Sequence, residues 1–98
     1  MAVKILIKRR VPPDKAREMI TLFRQMRMLA MAQEGYISGE TLRHLEKPEE
    51  FLVISTWQTS QAWQNWLASR DRKDLQSRID KLLGGETTYE AYHYGFTG

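Results

Sequence analysis

The sequence predicts an α+β fold of ferredoxin-like order, β-α-β-β-α-β, with a four-stranded antiparallel sheet carrying its helices on one face. Three observations carry that expectation. A period-two run, "AVKILIK", opens the chain and leads into a long helical pattern closed by Gly35. Two β-rich runs joined by the polar loop "EKPEE" then read as an antiparallel hairpin. A second helical region and a Thr- and Tyr-rich run, "TTYEAYHYGF", complete the order.

In residues 2–8, Val3, Ile5 and Ile7 alternate with Lys4, Leu6 and Lys8, as a strand with one strongly buried face requires. Pro12 and Pro13 stop it, because proline cannot donate to a ladder, and Pro13 suits the first turn of a helix. From Asp14 to about Gln33, Ala16, Met19, Ile20, Phe23, Met26, Ala30 and Met31 recur at spacings that place them on one stripe. Met19, Met26, Met28 and Met31 read as core or as filler of a compliant groove. Residues 36–45 and 51–57 form the hairpin strands. Thr59 or Ser60 can cap a short helix with Ala62, Trp63, Trp66 and Leu67 on one side. Asp71 can cap a further segment striped by Leu75, Ile79, Leu82 and Leu83, so the second helix is broken in two before Gly84 and Gly85 end it. Residues 87–96 make the last strand.

At 98 residues the chain is expected to be one domain, 1–98. Strand positions on both faces are apolar: Leu6 beside Ile5, Val53 beside Leu52 and Ile54, and Tyr92 beside Ala91. Helices cover only one face in this order, so a second copy packing sheet against sheet is expected, giving a homodimer. The net charge of +3 comes from basic residues, among them Lys4, Lys8, Arg9, Arg10, Arg17, Arg24, Arg27 and several between Arg70 and Arg78, interleaved with Asp71, Asp74 and Asp80. That mixture reads as solvated helix faces, not as a nucleic-acid surface. With no cysteine, disulfides and thiolate chemistry are excluded. "MAVKILIKRR" holds an apolar run too short for a signal peptide or a membrane span, which makes the cytoplasm the default.

The same topology hosts RNA-recognition modules, but the third strand, Phe51 to Trp57, is aliphatic where stacking rings are needed. No metal is expected, since only His44 and His93 exist and they lie on different strands. Serine-triad, P-loop and dinucleotide-binding patterns are also missing. The remaining chemistry-bearing groups are His44, His93 and the tyrosines Tyr89, Tyr92 and Tyr94, together with three tryptophans crowded into "STWQTSQAWQNWLASRD".

That last stretch, read with the strand before it as "VISTWQTSQAWQNWLASRD", resembles the antibiotic-biosynthesis monooxygenase family, and "GYISGETLR" is similar to that family's second strand. The resemblance covers Val3 to about Tyr94. It implies a homodimeric α+β barrel and one of several activities: cofactor-free oxidation of quinols or anthrones, haem degradation, or isomerisation. For the haem-degrading branch it implies an Asn, a Trp and a His, at positions that fall here on Ile7, Trp66 and Gln76. One of the three matches, and an amide is a poor haem ligand, so haem degradation is not expected.

The expected function is a cofactor-free monooxygenase acting on a quinol-like or polycyclic aromatic molecule. Such a substrate is itself electron-rich, and the protein need only deprotonate it, hold the anion and admit oxygen to a dry cavity. Ile5, Ile7, Phe23, Trp57, Trp63, Trp66 and Gln76 are the expected lining, with His44, His93 or Tyr89 as candidates for the base or hydrogen-bonding group. The alternatives are a non-catalytic small-molecule binding or interaction module on the same dimer, or an isomerase or lyase of the same family. No membrane partner is expected.

Overall fold

The computed structural model describes residues 1–85 and 87–94. Its strands are β1 (Val3–Arg10), β2 (Tyr36–Arg43), β3 (Glu50–Trp57) and β4 (Thr88–His93). Helix α1 (Ala16–Met31) follows β1 through a single 3-10 turn, and α2 (Ser60–Leu67) and α3 (Arg70–Leu83) lie between β3 and β4. The strands pair antiparallel in the order β2-β3-β1-β4, the ferredoxin-like arrangement, with the second helical region split in two. Gly95 and Phe96, predicted to continue the last strand, lie outside the described residues.

The alternation in β1 runs two residues further than its apolar residues suggest. Val3, Ile5, Ile7 and Arg9 are all buried on the helix-covered face. Pairing continues to Arg10↔Glu50, and the Val11 amide donates to the Glu49 carbonyl at 2.8 Å before Pro12 removes the donor. Arg9 therefore points under the helices, where a solvated position had been expected.

Helix α1 stops two residues short of Gln33. The Gln33 amide returns to the Ala30 carbonyl at 3.0 Å and its side chain donates to the Leu29 carbonyl at 3.2 Å, so the last turn tightens. Gly35, at φ 87°, turns the chain into β2. A Cβ there would lie 2.5 Å from the Cβ of Ala62, so glycine also lets α2 approach the turn. Met19 is fully buried, but Met28 and Met31 are 73% and 61% exposed, which corrects their reading as core or groove filler. Met28 is nine residues from Met19, half a turn round the helix at about 100° per residue.

Thr59 caps α2, its Oγ1 accepting from the Ala62 amide at 3.0 Å. Ser69, in extended conformation, both breaks the helical region and caps α3, accepting from the Arg72 amide at 3.4 Å. Asp71 is not the cap; it sits in the first turn, where its charge complements the helix dipole. Gly84 closes α3 at φ 74°.

Two apolar clusters form beneath the sheet. One gathers Val3, Ile5, Ile7, Ala30, Trp57, Trp63 and Trp66; the other gathers Val11, Met19 and Ile79, with Phe23 and Phe51 packed against it. The opposite sheet face carries no helix. Leu42 pairs with Leu52 and Leu6 with Ile54 on that face. Leu42 is exposed, and Leu52, Ile54 and Leu6 are only partly buried.

Candidate functional site

Between the two apolar clusters lies a cavity of about 280 Å³, near the lower end of the roughly 300–1,000 Å³ usual for small-molecule sites. Every major element contributes to it. Helix α1 supplies Ile20, Phe23, Arg24, Met26, Arg27 and Ala30, and the sheet supplies Ile7, Arg9, Tyr36, Gly39, Thr41, Val53, Ser55, Trp57 and Tyr89. Trp63 and Trp66 come from α2, and Arg72 and Gln76 from α3. Glu40 also borders it, but it pairs with Ile54, which places its side chain on the opposite, bare face of the sheet.

One end of the cavity is aromatic. Trp57 is fully buried, lies nearly parallel to Trp66 at 6.2 Å between ring centroids, and meets Tyr36 edge-on at 5.3 Å. Trp63 bridges to Tyr89 at 5.5 Å. The Trp57 indole N–H donates to Ser55 Oγ at 3.1 Å, so its polar edge is satisfied inside the wall. These rings form an apolar wall in which Trp57 and Trp66 are stacked and Tyr36, Trp63 and Tyr89 are inclined to their neighbours. Gly39 keeps space beside them, since a Cβ there would meet the Tyr36 hydroxyl at 2.6 Å.

The other end is polar and buried. Gln76 has every hydrogen-bonding group engaged. Its Oε1 accepts from Arg9 Nη2 at 3.2 Å and from the Tyr89 hydroxyl at 2.9 Å. Its Nε2 donates to Asp80 Oδ1 at 2.8 Å and to Thr87 Oγ1 at 2.6 Å. This pattern fixes the amide orientation, because only the oxygen can face a guanidinium. Arg72 donates from Nη1 to the Tyr89 hydroxyl at 2.7 Å and from Nε to the Leu67 carbonyl at 2.9 Å. Arg9 lies with its guanidinium 5.2 Å from the centre of the Phe23 ring. Burial, above all, holds the Arg9 pKa below its ordinary value, and Arg72 adds to that effect against the opposing pull of Tyr89 and Asp80.

Ile7, Phe23, Trp57, Trp63, Trp66, Gln76 and Tyr89 thus meet around one space. Ile5 does not reach it; it is fully buried within the tryptophan cluster. His44 lies just beyond β2, where its Nδ1 accepts from the amides of Glu46 and Lys47, both at 3.0 Å. It shapes the hairpin turn beside a separate groove that includes Arg43 and Phe51. His93 is exposed at the end of β4, paired with Val3. Among the three candidates for a base or hydrogen-bonding group, Tyr89 alone lines the cavity.

Arg9 and Arg72 were missed as site residues and counted among solvated charges; they are 8% and 7% exposed. The signal for Arg9 was present in the strand, two residues beyond Ile7 on the same face. For Arg72 it was fainter: it stands three residues before Leu75 and seven before Ile79, in phase with the buried stripe. No group of three or more potential metal-ligating side chains occurs among the described residues.

A family model described as antibiotic biosynthesis monooxygenase matches residues 2–78. No curated protein matches the sequence. Among solved structures, a conserved protein from Methanosarcina mazei Go1 aligns with a TM-score of 0.86 at 22% identity, covering 95% of this chain and 92% of its own. SnoaB, a cofactor-independent oxygenase from Streptomyces nogalater, aligns with a TM-score of 0.84 at 18% identity, covering 98% and 95%. Rv0793 from Mycobacterium tuberculosis gives 0.84 at 13% identity, covering 99% and 98%. At these identities the three likenesses establish the fold.

Proposed function

The chain belongs to the antibiotic biosynthesis monooxygenase family, and from that premise we propose that it is a cofactor-independent monooxygenase oxidising a quinol-like or polycyclic aromatic molecule. The observation that carries this reading is a cavity walled on one side by Trp57, Trp63 and Trp66 and lined at its other end by buried polar groups. A flat electron-rich ring stacks against the first, and an oxygen substituent meets the second. In the oxidation of an anthrone-like ring, one atom of O2 becomes the new carbonyl oxygen. The other leaves as water with the two hydrogens of the former CH2. The protein's part is to hold the substrate anion away from bulk water while oxygen attacks. The cofactor-independent activity of SnoaB, which shares the fold, supports the class of reaction.

The working unit we propose is a homodimer in the cytoplasm, formed by a second copy over the bare sheet face of Leu6, Leu42, Leu52 and Ile54. Among the described residues no helix is long and apolar enough to cross a membrane. Light scattering at micromolar concentration should return twice the chain mass; a monomer would contradict this part of the proposal.

Oxygen consumption with a panel of reduced quinols and anthrones, with and without chelator, tests the activity. Turnover that survives chelation supports it, and no turnover with any member of the panel overturns it. One observation favours a binding module instead: Gln76 and Tyr89 spend their hydrogen bonds on one another and on Arg9, Arg72, Asp80 and Thr87. Tight binding of the same compounds without oxygen uptake would select that reading.

A further inference from the structure

We propose that the Arg9 end of the cavity is an anion subsite, so that the pocket takes a flat aromatic molecule as its monoanion with the charged oxygen seated at the Arg9 guanidinium. This rests on the reading of the cavity as the ligand site, and it holds whether or not the bound molecule is oxidised.

The first argument is the missing counter-ion. Arg9 is more than nine-tenths buried and lines the cavity, yet its hydrogen-bond partner among the described residues is the neutral amide oxygen of Gln76. Its Nε is buried with no acceptor among the described residues. The neighbouring Arg72, equally buried, donates to a phenol hydroxyl and a backbone carbonyl. Neither forms an ion pair among the described residues, where the one salt bridge joins Arg10 to Glu49. A buried charge is normally paired, because removing it from water is costly and neutral acceptors recover only part of that cost. Two such charges in one apolar site also repel each other.

Asp80, the acid whose charge acts on Arg9, does not remove the imbalance. It is bonded to Gln76 and Thr87, one step behind Arg9. Gln76, held by four hydrogen bonds, cannot swing away, and so holds Arg9 in place. At the rim, Arg24 and Arg27 are exposed and also line the cavity. Four arginines around one small space raise its potential and draw anions toward it. A guanidinium offers planar, directional N–H groups that suit either a carboxylate or an enolate or phenolate oxygen.

Calorimetric titration of the full chain with matched probes tests the proposal. One arm compares 2-naphthoate with neutral 2-naphthamide; the other compares 2-hydroxy-1,4-naphthoquinone, ionised at neutral pH, with 1,4-naphthoquinone. At low salt the anion should bind at least about tenfold more tightly than its neutral partner in one arm or both, and the arm that shows it identifies carboxylate or enolate. Arg9→Met should bring that ratio to within about twofold, and Arg9→Lys should restore part of the preference. Should Arg9→Met fail to fold, 2-naphthol on the wild-type chain gives an independent reading. Its ionisation, followed by absorbance, should shift to lower pH by about one unit or more on binding. Equal affinity for charged and neutral probes, a preference that survives Arg9→Met, binding of no probe, or an unshifted naphthol would each overturn the proposal. Oxygen uptake without anion preference would sink this inference and leave the oxygenase reading standing. Anion preference without oxygen uptake would do the reverse.

Discussion

The two ends of the cavity are built on opposite principles, though both hang from β1. At the Val3 end, tryptophans and aliphatic residues fill the space under the sheet, and each ring removed from water adds to stability. At the Arg9 end, two guanidiniums, an amide and a phenol occupy the same layer, and their hydrogen bonds offset the cost of burying them only in part. The first end makes the fold. The second is tolerated by it, which is the usual mark of a site kept for binding or chemistry.

The largest effect that would sharpen this contrast is at Trp57. Trp57→Ala removes a fully buried ring that contacts Tyr36, Trp63 and Trp66, and should cost about 3–5 kcal/mol. Urea denaturation will show this as a large fall in midpoint or as failure to fold; a loss under about 1 kcal/mol would mean that the tryptophan end is not the structural one.

Gly35→Ala should come next. It combines a positive φ with a Cβ 2.5 Å from Ala62, and an expected loss of about 2 kcal/mol follows from strain and displacement of α2. Gly84→Ala has the same backbone conformation but open space around it, so about 1 kcal/mol is expected. Equal losses at both positions in thermal unfolding would show that the α2 contact contributes nothing.

At the other end the sign should change. Because burial lowers the Arg9 pKa in the folded state, the protonated group is disfavoured there relative to the unfolded chain. That penalty is fully present below the folded pKa and fades as pH rises through it toward the unfolded value. Arg9→Met should therefore leave stability unchanged or raise it by up to about 1–2 kcal/mol, while removing anion preference. A loss comparable to that of Trp57→Ala would erase the distinction between the two ends.

The smallest effects belong to the histidines. His44→Ala should cost less than about 1 kcal/mol, through the turn its Nδ1 accepts from, and neither it nor His93→Ala should change oxygen uptake or probe binding. A tenfold fall in turnover with either variant would move the chemistry away from this cavity.

Much of the architecture could be read along the chain, because hydrophobic period and breaker residues act locally. The alternation of Val3, Ile5 and Ile7, the stripe of α1, the loop around Pro48 and the glycines at 84 and 85 each specify an element without reference to distant partners. Trp63 and Trp66, three apart, announce their shared face in the same way. The cap of α3 was misplaced to Asp71 because Ser69 and Asp71 offer equivalent oxygens. Only the actual break after α2 decides between them.

The amino-acid sequence by itself determined the order of strands and helices, the face of each element that is apolar, and the tryptophan wall, since these depend on period and residue type. Tertiary structure alone decided which polar residues share the space beneath the sheet. Arg9 comes from β1 and meets Arg72, Gln76 and Tyr89 from α3 and β4, and period alone gave the two arginines a buried face without saying what would stand opposite them. Whether a guanidinium meets water, a carboxylate or a neutral amide depends on what the fold brings opposite it. Here the fold brings an amide and a phenol, and among the described residues leaves the Arg9 Nε without an acceptor.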